Sequence, residues 1–98
     1  MSYLILVTYD LHDAHPNDYP PVQRGLRTLG LRPTIPRPNG GEIRLPANTV
    51  GAIRNARSAA YLRDRLRVGI ERVFNGCAVS GLFFIGVGSR WAWAKRRV

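Results

Sequence analysis

Residues 3–9, YLILVTY, are aliphatic, aromatic or β-branched at nearly every position. Such a run asks for burial on both faces and predicts a central β-strand. Residues 10–17, DLHDAHPN, are rich in turn formers and end it. Asp18 then stands as an N-cap before Tyr19-Pro20-Pro21, proline being acceptable in a first helical turn. Val22, Leu26 and Leu29 recur at i, i+4 and i+7, which predicts a helix over about residues 19–29, closed by Gly30 as a left-handed cap. Three prolines and a Gly-Gly pair in residues 31–41, LRPTIPRPNGG, predict an exposed loop or an edge segment. Residues 42–45, EIRL, and 49–53, TVGAI, read as two short strands forming a hairpin around Pro46-Ala47-Asn48.

The next segment admits two readings, because Gly69 could break a helix and leave residues 70–79 as a strand. Ala59, Leu62, Leu66, Ile70, Val73, Phe74 and Cys77 keep helical spacing straight through it. An interior glycine costs about 1 kcal/mol relative to alanine, whereas each large apolar side chain buried gains about 1.5–3 kcal/mol. One helix over about residues 56–75 is therefore predicted, with Asn55 or Ser58 as its cap and Asn75-Gly76 as its stop. Arg63 falls inside the apolar arc, where it either snorkels past the core edge or meets an acidic partner. Residues 82–87, LFFIGV, form a second strand expected to be buried on both sides, followed by the basic, Trp-containing tail of residues 91–98.

The order βαββαβ predicts an α+β, ferredoxin-like split βαβ domain over residues 1–98. Its antiparallel sheet would carry both helices on one face. The other face would then be wet, yet both faces are apolar: Tyr3, Ile5, Val7 and Tyr9 point to one side of the first strand and Leu4, Leu6 and Thr8 to the other, and the last strand likewise puts Phe83 and Ile85 opposite Leu82 and Phe84. A second copy across a two-fold axis is the simplest cover and predicts a homodimer. The alternative cover is the tail around Trp91 and Trp93, folding back within one chain or crossing onto a partner.

At 98 residues the chain has room for one hydrophobic core. It contains no apolar run long enough to span a membrane. Met1-Ser2-Tyr3 leads directly into the first strand without a basic region or a small-residue cleavage site, so this stretch reads as strand and a cytoplasmic setting is expected. The single cysteine, Cys77, cannot form an internal disulfide and reads as core filler. Charge adds a functional dimension: fifteen Lys and Arg against six Asp and Glu give +9, which favours phosphate-rich partners. Residues 1–23 contain no basic residue but hold Asp10, Asp13 and Asp18, so an acidic spot sits within a basic molecule. Arg54, Arg57, Arg65 and Arg72 lie away from the core face of the second helix. With Lys95, Arg96, Arg97 and the nearby tryptophans they are candidates for gripping RNA or DNA. His12 and His15 beside Asp10 and Asp13 form only a weak metal-ligand pattern, and His12 is kept as an acid/base helper. No phosphate-binding loop, nucleophile elbow or zinc-knuckle spacing is present.

Four stretches in this order, LVTYDLH ending the first strand, DYPPVQRGLRTLG, LRDRL in the second helix, and LFFIGVG leading to Trp91-Ala92-Trp93, resemble a known family. It is the small CRISPR-associated protein that partners the spacer-acquisition integrase and is described as a metal-dependent endoribonuclease, with relatives among the virulence-associated D toxins. The resemblance implies a ferredoxin-like dimer in which Asp10, at the end of the first strand, is both catalytic residue and metal ligand. Two copies of it would face each other across the dimer axis to hold Mg²⁺, a hard cation that takes one or two carboxylates plus waters. It also implies an integrase-type protein partner. Residues 33–41, and the acidic, His-bearing segment after Asp10, depart from the family pattern. A non-catalytic nucleic-acid-binding dimer or a protein-interaction scaffold of the same fold is the alternative.

Overall fold

The computed structural model describes residues 1–98 and has the element order β1 (Ser2–Leu11), a 3₁₀ turn (Pro16–Asp18), α1 (Tyr19–Thr28), β2 (Thr34–Pro36), β3 (Glu42–Arg44), β4 (Thr49–Asn55), α2 (Ala59–Gly76) and β5 (Gly81–Gly88). It is an α+β fold built on a three-stranded antiparallel sheet of order β4-β1-β5, with a separate two-stranded ribbon of β2 and β3. As expected, β1 is the central strand, pairing from Leu4 with Gly88 and Ile53 on its two sides.

The main core lies between one face of this sheet and both helices. Tyr3, Ile5, Val7 and Tyr9, alternate residues of β1, pack with Val22 and Leu26 of α1 and with Leu62, Leu66, Ile70 and Phe74 of α2. The four from α2 are the apolar positions whose spacing predicted a continuous helix, and residues 70–76 are helical. Gly69 is more than tolerated. A Cβ there would stand 3.0 Å from Leu29 Cδ2, and one on Gly25 would stand 2.6 Å from Val73 Cγ1, so paired glycines let α1 and α2 approach closely. Cys77 packs against the same core as filler. The helix ends at Gly76, within the expected Asn75-Gly76 stop, but the left-handed position usual for glycine falls on Ala78, at φ 55°, where Val79 N–H donates to Phe74 O at 3.1 Å.

Other expectations are corrected. Asp18 does not cap α1 with its side chain; its carboxylate accepts from His15 N at 2.9 Å instead. The reason is local, since the second and third helical residues are Pro20 and Pro21 and have no N–H to offer. The expected hairpin of residues 42–45 with 49–53 is absent. The turn at Pro46 to Asn48 exists, with Thr49 N–H donating to Pro46 O at 3.1 Å, but it joins strands of two different sheets. β3 pairs with β2, inside the Pro-rich segment expected to be a loop. Gly40 and Gly41, at φ 94° and 76°, make the reversal, and Pro36 sits where no ladder donor is needed. Ile35 and Ile43 then face inward together, buried with Leu4 on the sheet face opposite the helices.

That second face is thus partly roofed by the chain's own ribbon. Arg32 and Gly51 also exchange backbone hydrogen bonds of 3.0 and 2.8 Å, which lays the segment entering β2 along the outer edge of β4. The roof stops short of β5. Leu82 and Phe84 are 73% and 71% exposed, so β5 is buried on one face only, contrary to the pattern of its sequence. Trp93 of the tail borders a cleft with Leu4, Leu6, Ile35 and Ile43, on the ribbon side of the sheet. No helix is long and apolar enough to cross a membrane.

Candidate functional site

Asp10 occupies the last turnless stretch of β1, in register with Leu82 of β5, and its side chain is on the face away from the helices. It is exposed and lines a shallow cleft with His12, Ser80 and Leu82. The backbone that follows is held by His12 N–H donating to Ser80 O at 2.8 Å. The chain's ion pairs are His12–Asp13, Arg63–Asp64 and Arg67–Glu71, so the Asp10 carboxylate has no charged partner. The His12 ring turns to Asp13, 3.1 Å away, and His15 Nδ1 accepts from Asn17 N–H at 3.3 Å. The two histidines therefore serve the turn's own geometry and do not join Asp10 in a cluster. Within one chain no three metal-ligating side chains converge. What Asp10 offers a hard cation is one solvated carboxylate, which matches Mg²⁺ if a second copy supplies another.

The seven basic candidates fall into separate places. Arg54 belongs to β4, with its side chain on the helix-covered face, and donates through Nη2 to the Leu29 carbonyl at 2.7 Å. It satisfies an orphan carbonyl at the end of α1, beside Gly30 at φ 82°. Arg57 precedes α2 and places its guanidinium 4.4 Å from the centre of the Tyr61 ring. Arg65 covers the same ring at 5.7 Å and reaches its hydroxyl at 3.5 Å. Arg65 and Arg72 share a surface cleft with Tyr61, Arg67 and Leu29. One ring flanked by two cations, with a third cation further along the groove, is a surface on which a base could stack while phosphates are held. Tyr61 was not among the sequence candidates, although the spacing of 61 and 65 stacks these two on one helical face, with Arg57 meeting the ring from the segment before the helix.

Lys95 and Arg96 lie elsewhere, bordering the cleft under the ribbon on the opposite side of the sheet, and Arg97 is exposed in the tail. Tail and helix do not form one continuous basic surface. Arg63 is exposed and bound to Asp64 at 3.0 Å, the acidic partner its place in the apolar arc allowed, and it borders a cleft with Ile85 and Val87 of β5.

Tyr9, next to Asp10 but on the helix side, has its pKa raised above the ordinary 10.0, chiefly by burial; the nearby Gln23 side chain works against the rise and Tyr19 adds to it. No family model matches the chain, and neither a curated protein nor a solved structure shows significant similarity to it.

Proposed function

We propose that the chain works as a nucleic-acid-binding homodimer of ferredoxin-like, split βαβ build, resembling the CRISPR-associated endoribonuclease family, with Mg²⁺ held between two Asp10 carboxylates for strand cleavage. The observation that carries it is the pairing of an unpartnered, exposed Asp10 with Leu82 and Phe84, the most exposed large apolar side chains away from the termini. A second copy seated on that apolar strip would bring the two carboxylates near one axis. The path of the chain supports the fold reading: segment 31–36, β4, β1 and β5 succeed one another across the molecule, and both helices pack on one side.

In this reading Arg57, Tyr61, Arg65 and Arg72 hold the strand, and Lys95, Arg96 and Arg97 add phosphate contacts from the other side. The ion, where bound, supplies a water nucleophile and neutralises charge at phosphorus. An integrase-type protein partner is the natural collaborator of such a dimer, as the resemblance implies.

The test is incubation of wild type and Asp10→Ala with labelled RNA and DNA, with and without Mg²⁺, alongside binding at two salt concentrations. Mg²⁺-dependent cleavage lost in Asp10→Ala, with binding retained, is the expected result. Binding that falls steeply with salt but no cleavage by wild type sinks the catalytic part and leaves the non-catalytic dimer. Replacing Arg65 or Arg72 with alanine should weaken binding across sequences and lower the salt slope by about 1 each.

A further inference from the structure

A recess on the helix side of the β1–β4 end, ≈ 410 Å³ in volume, is used by nothing described above. Its floor is buried and apolar, formed by Tyr9, Leu31 and Val50. Two arginines line it, Arg27 from the last turn of α1 and Arg44 from the end of β3, which also borders the cleft under the ribbon, together with Asn48. None of the six acidic residues lines it.

Two features make this more than a solvated surface. Neither arginine is already engaged: the arginines with side-chain partners are Arg54, Arg63, Arg65 and Arg67. Three of the carbonyls at the end of α1 that could attract Arg27 are already taken: Leu26 O accepts from the Leu29 and Leu31 amides, Arg27 O from Gly30, and Leu29 O from Arg54. The walls are also fixed before any ligand arrives. Tyr9 N–H donates to Asn48 O at 3.1 Å, and Leu45 N–H donates to Pro33 O at 2.8 Å, which pins both loops that carry the rim. Two uncompensated cations over an apolar floor favour a dianionic group attached to a flat or apolar body.

We propose that this recess binds a phosphomonoester of nucleotide size, with Arg27 and Arg44 gripping the phosphate, the base resting against the Tyr9 and Leu31 floor, and Asn48 reading its edge. The same chemistry is offered by a free mononucleotide and by the 5′-phosphorylated end of a strand. The site shares no residue with Asp10 or with the Arg57–Tyr61–Arg65 stack, so it stands independently of cleavage.

Titration calorimetry of the full chain tests it with AMP, adenosine, and a tetranucleotide carrying either a 5′-phosphate or a 5′-hydroxyl. AMP should bind at least about tenfold more tightly than adenosine, and Arg27→Ala and Arg44→Ala should each weaken it by about tenfold or more. Arg37→Ala, at the ribbon tip, should leave AMP binding unchanged, which separates a built site from the general positive field. A tetranucleotide that prefers the 5′-phosphate, and binds more tightly than AMP, assigns the strand end; equal or tighter AMP binding assigns the free nucleotide. Thermal unfolding of each variant shows that it is folded. Absence of binding by AMP and by the 5′-phosphorylated strand, or binding indifferent to Arg27→Ala and Arg44→Ala, overturns the site, and does so even if strand binding through α2 is intact.

Discussion

Ala78 holds a backbone conformation that suits glycine, at φ 55°, because the chain must reverse out of α2 within the four residues 77–80 to begin β5. An L-residue there costs about 1–2 kcal/mol, of which glycine's extra freedom in the unfolded chain takes back about 0.5–1. Ala78→Gly should therefore raise unfolding free energy by about 0.5–1 kcal/mol, read as a higher urea midpoint at unchanged slope. Tyr9 gives the opposite kind of test. Burial raises its pKa above 10.0, so the native state holds this proton more tightly than the unfolded chain does. Its contribution is fully present below about pH 10 and is lost as pH climbs through the folded pKa. Tyr9→Phe should therefore decline less than wild type between about pH 9 and 11. Parallel decline of the two proteins in that window would dismiss the Tyr9 proton as a stability determinant.

Among the elements, the helix pair depends on glycine at the crossing. Adding a methyl at Gly25 helps the helix locally by about 1 kcal/mol but drives it into Val73 Cγ1, a stiff β-branched side chain with no room to retreat. Gly25→Ala should destabilise by about 1–2 kcal/mol, and the same change in a Val73→Ala background should become neutral or stabilising, a coupling that chemical denaturation of the four proteins measures. Gly76→Ala, at the end of α2 with open space around it, should gain about 0.5–1 kcal/mol instead. The helices were legible in the sequence because their apolar positions repeat, over about two turns in α1 and about five in α2, and β1 was legible because nearly every residue wants burial. The ribbon was not. Its two inward residues, Ile35 and Ile43, are separated by prolines and glycines that locally spell a loop, and their pairing is with Leu4, far away in the chain. Arg54 was misplaced for a similar reason: where β4 ends and α2 begins is settled by the pairing of Tyr3 with Arg54 and Ser2 with Asn55, a long-range fact. Asp10 entered as a candidate through the resemblance of LVTYDLH to a family with a functional Asp at that point, whereas Arg27 and Arg44 become neighbours of one recess only when α1 and β3 meet.

At the scale of the molecule the sheet has one face sealed by helices and one face roofed in part. The ribbon covers Leu4 with Ile35 and Ile43 and leaves Leu82 and Phe84 in water. The expectation that a twin must cover the whole face is thereby narrowed: the chain's own ribbon covers the part over Leu4, and only the β5 side is left for a second copy. The two regions should answer differently to substitution. Ile35→Asp places a charge among buried apolar groups and should destabilise the chain itself, by several kcal/mol, at any protein concentration. Leu82→Ser with Phe84→Ser removes nothing from the folded core of one subunit, so its cost in a single chain should stay within about 1 kcal/mol. In the proposed dimer that double substitution should instead abolish association. Wild type should then show two chain masses by light scattering at micromolar concentration and an unfolding midpoint that rises with protein concentration, since dimerisation binds only the native state. The double variant should show one chain mass and a midpoint independent of concentration. A wild type that is already one chain mass, or a dimer that survives the loss of both side chains, would leave Asp10 without its twin and the metal reading without its second carboxylate.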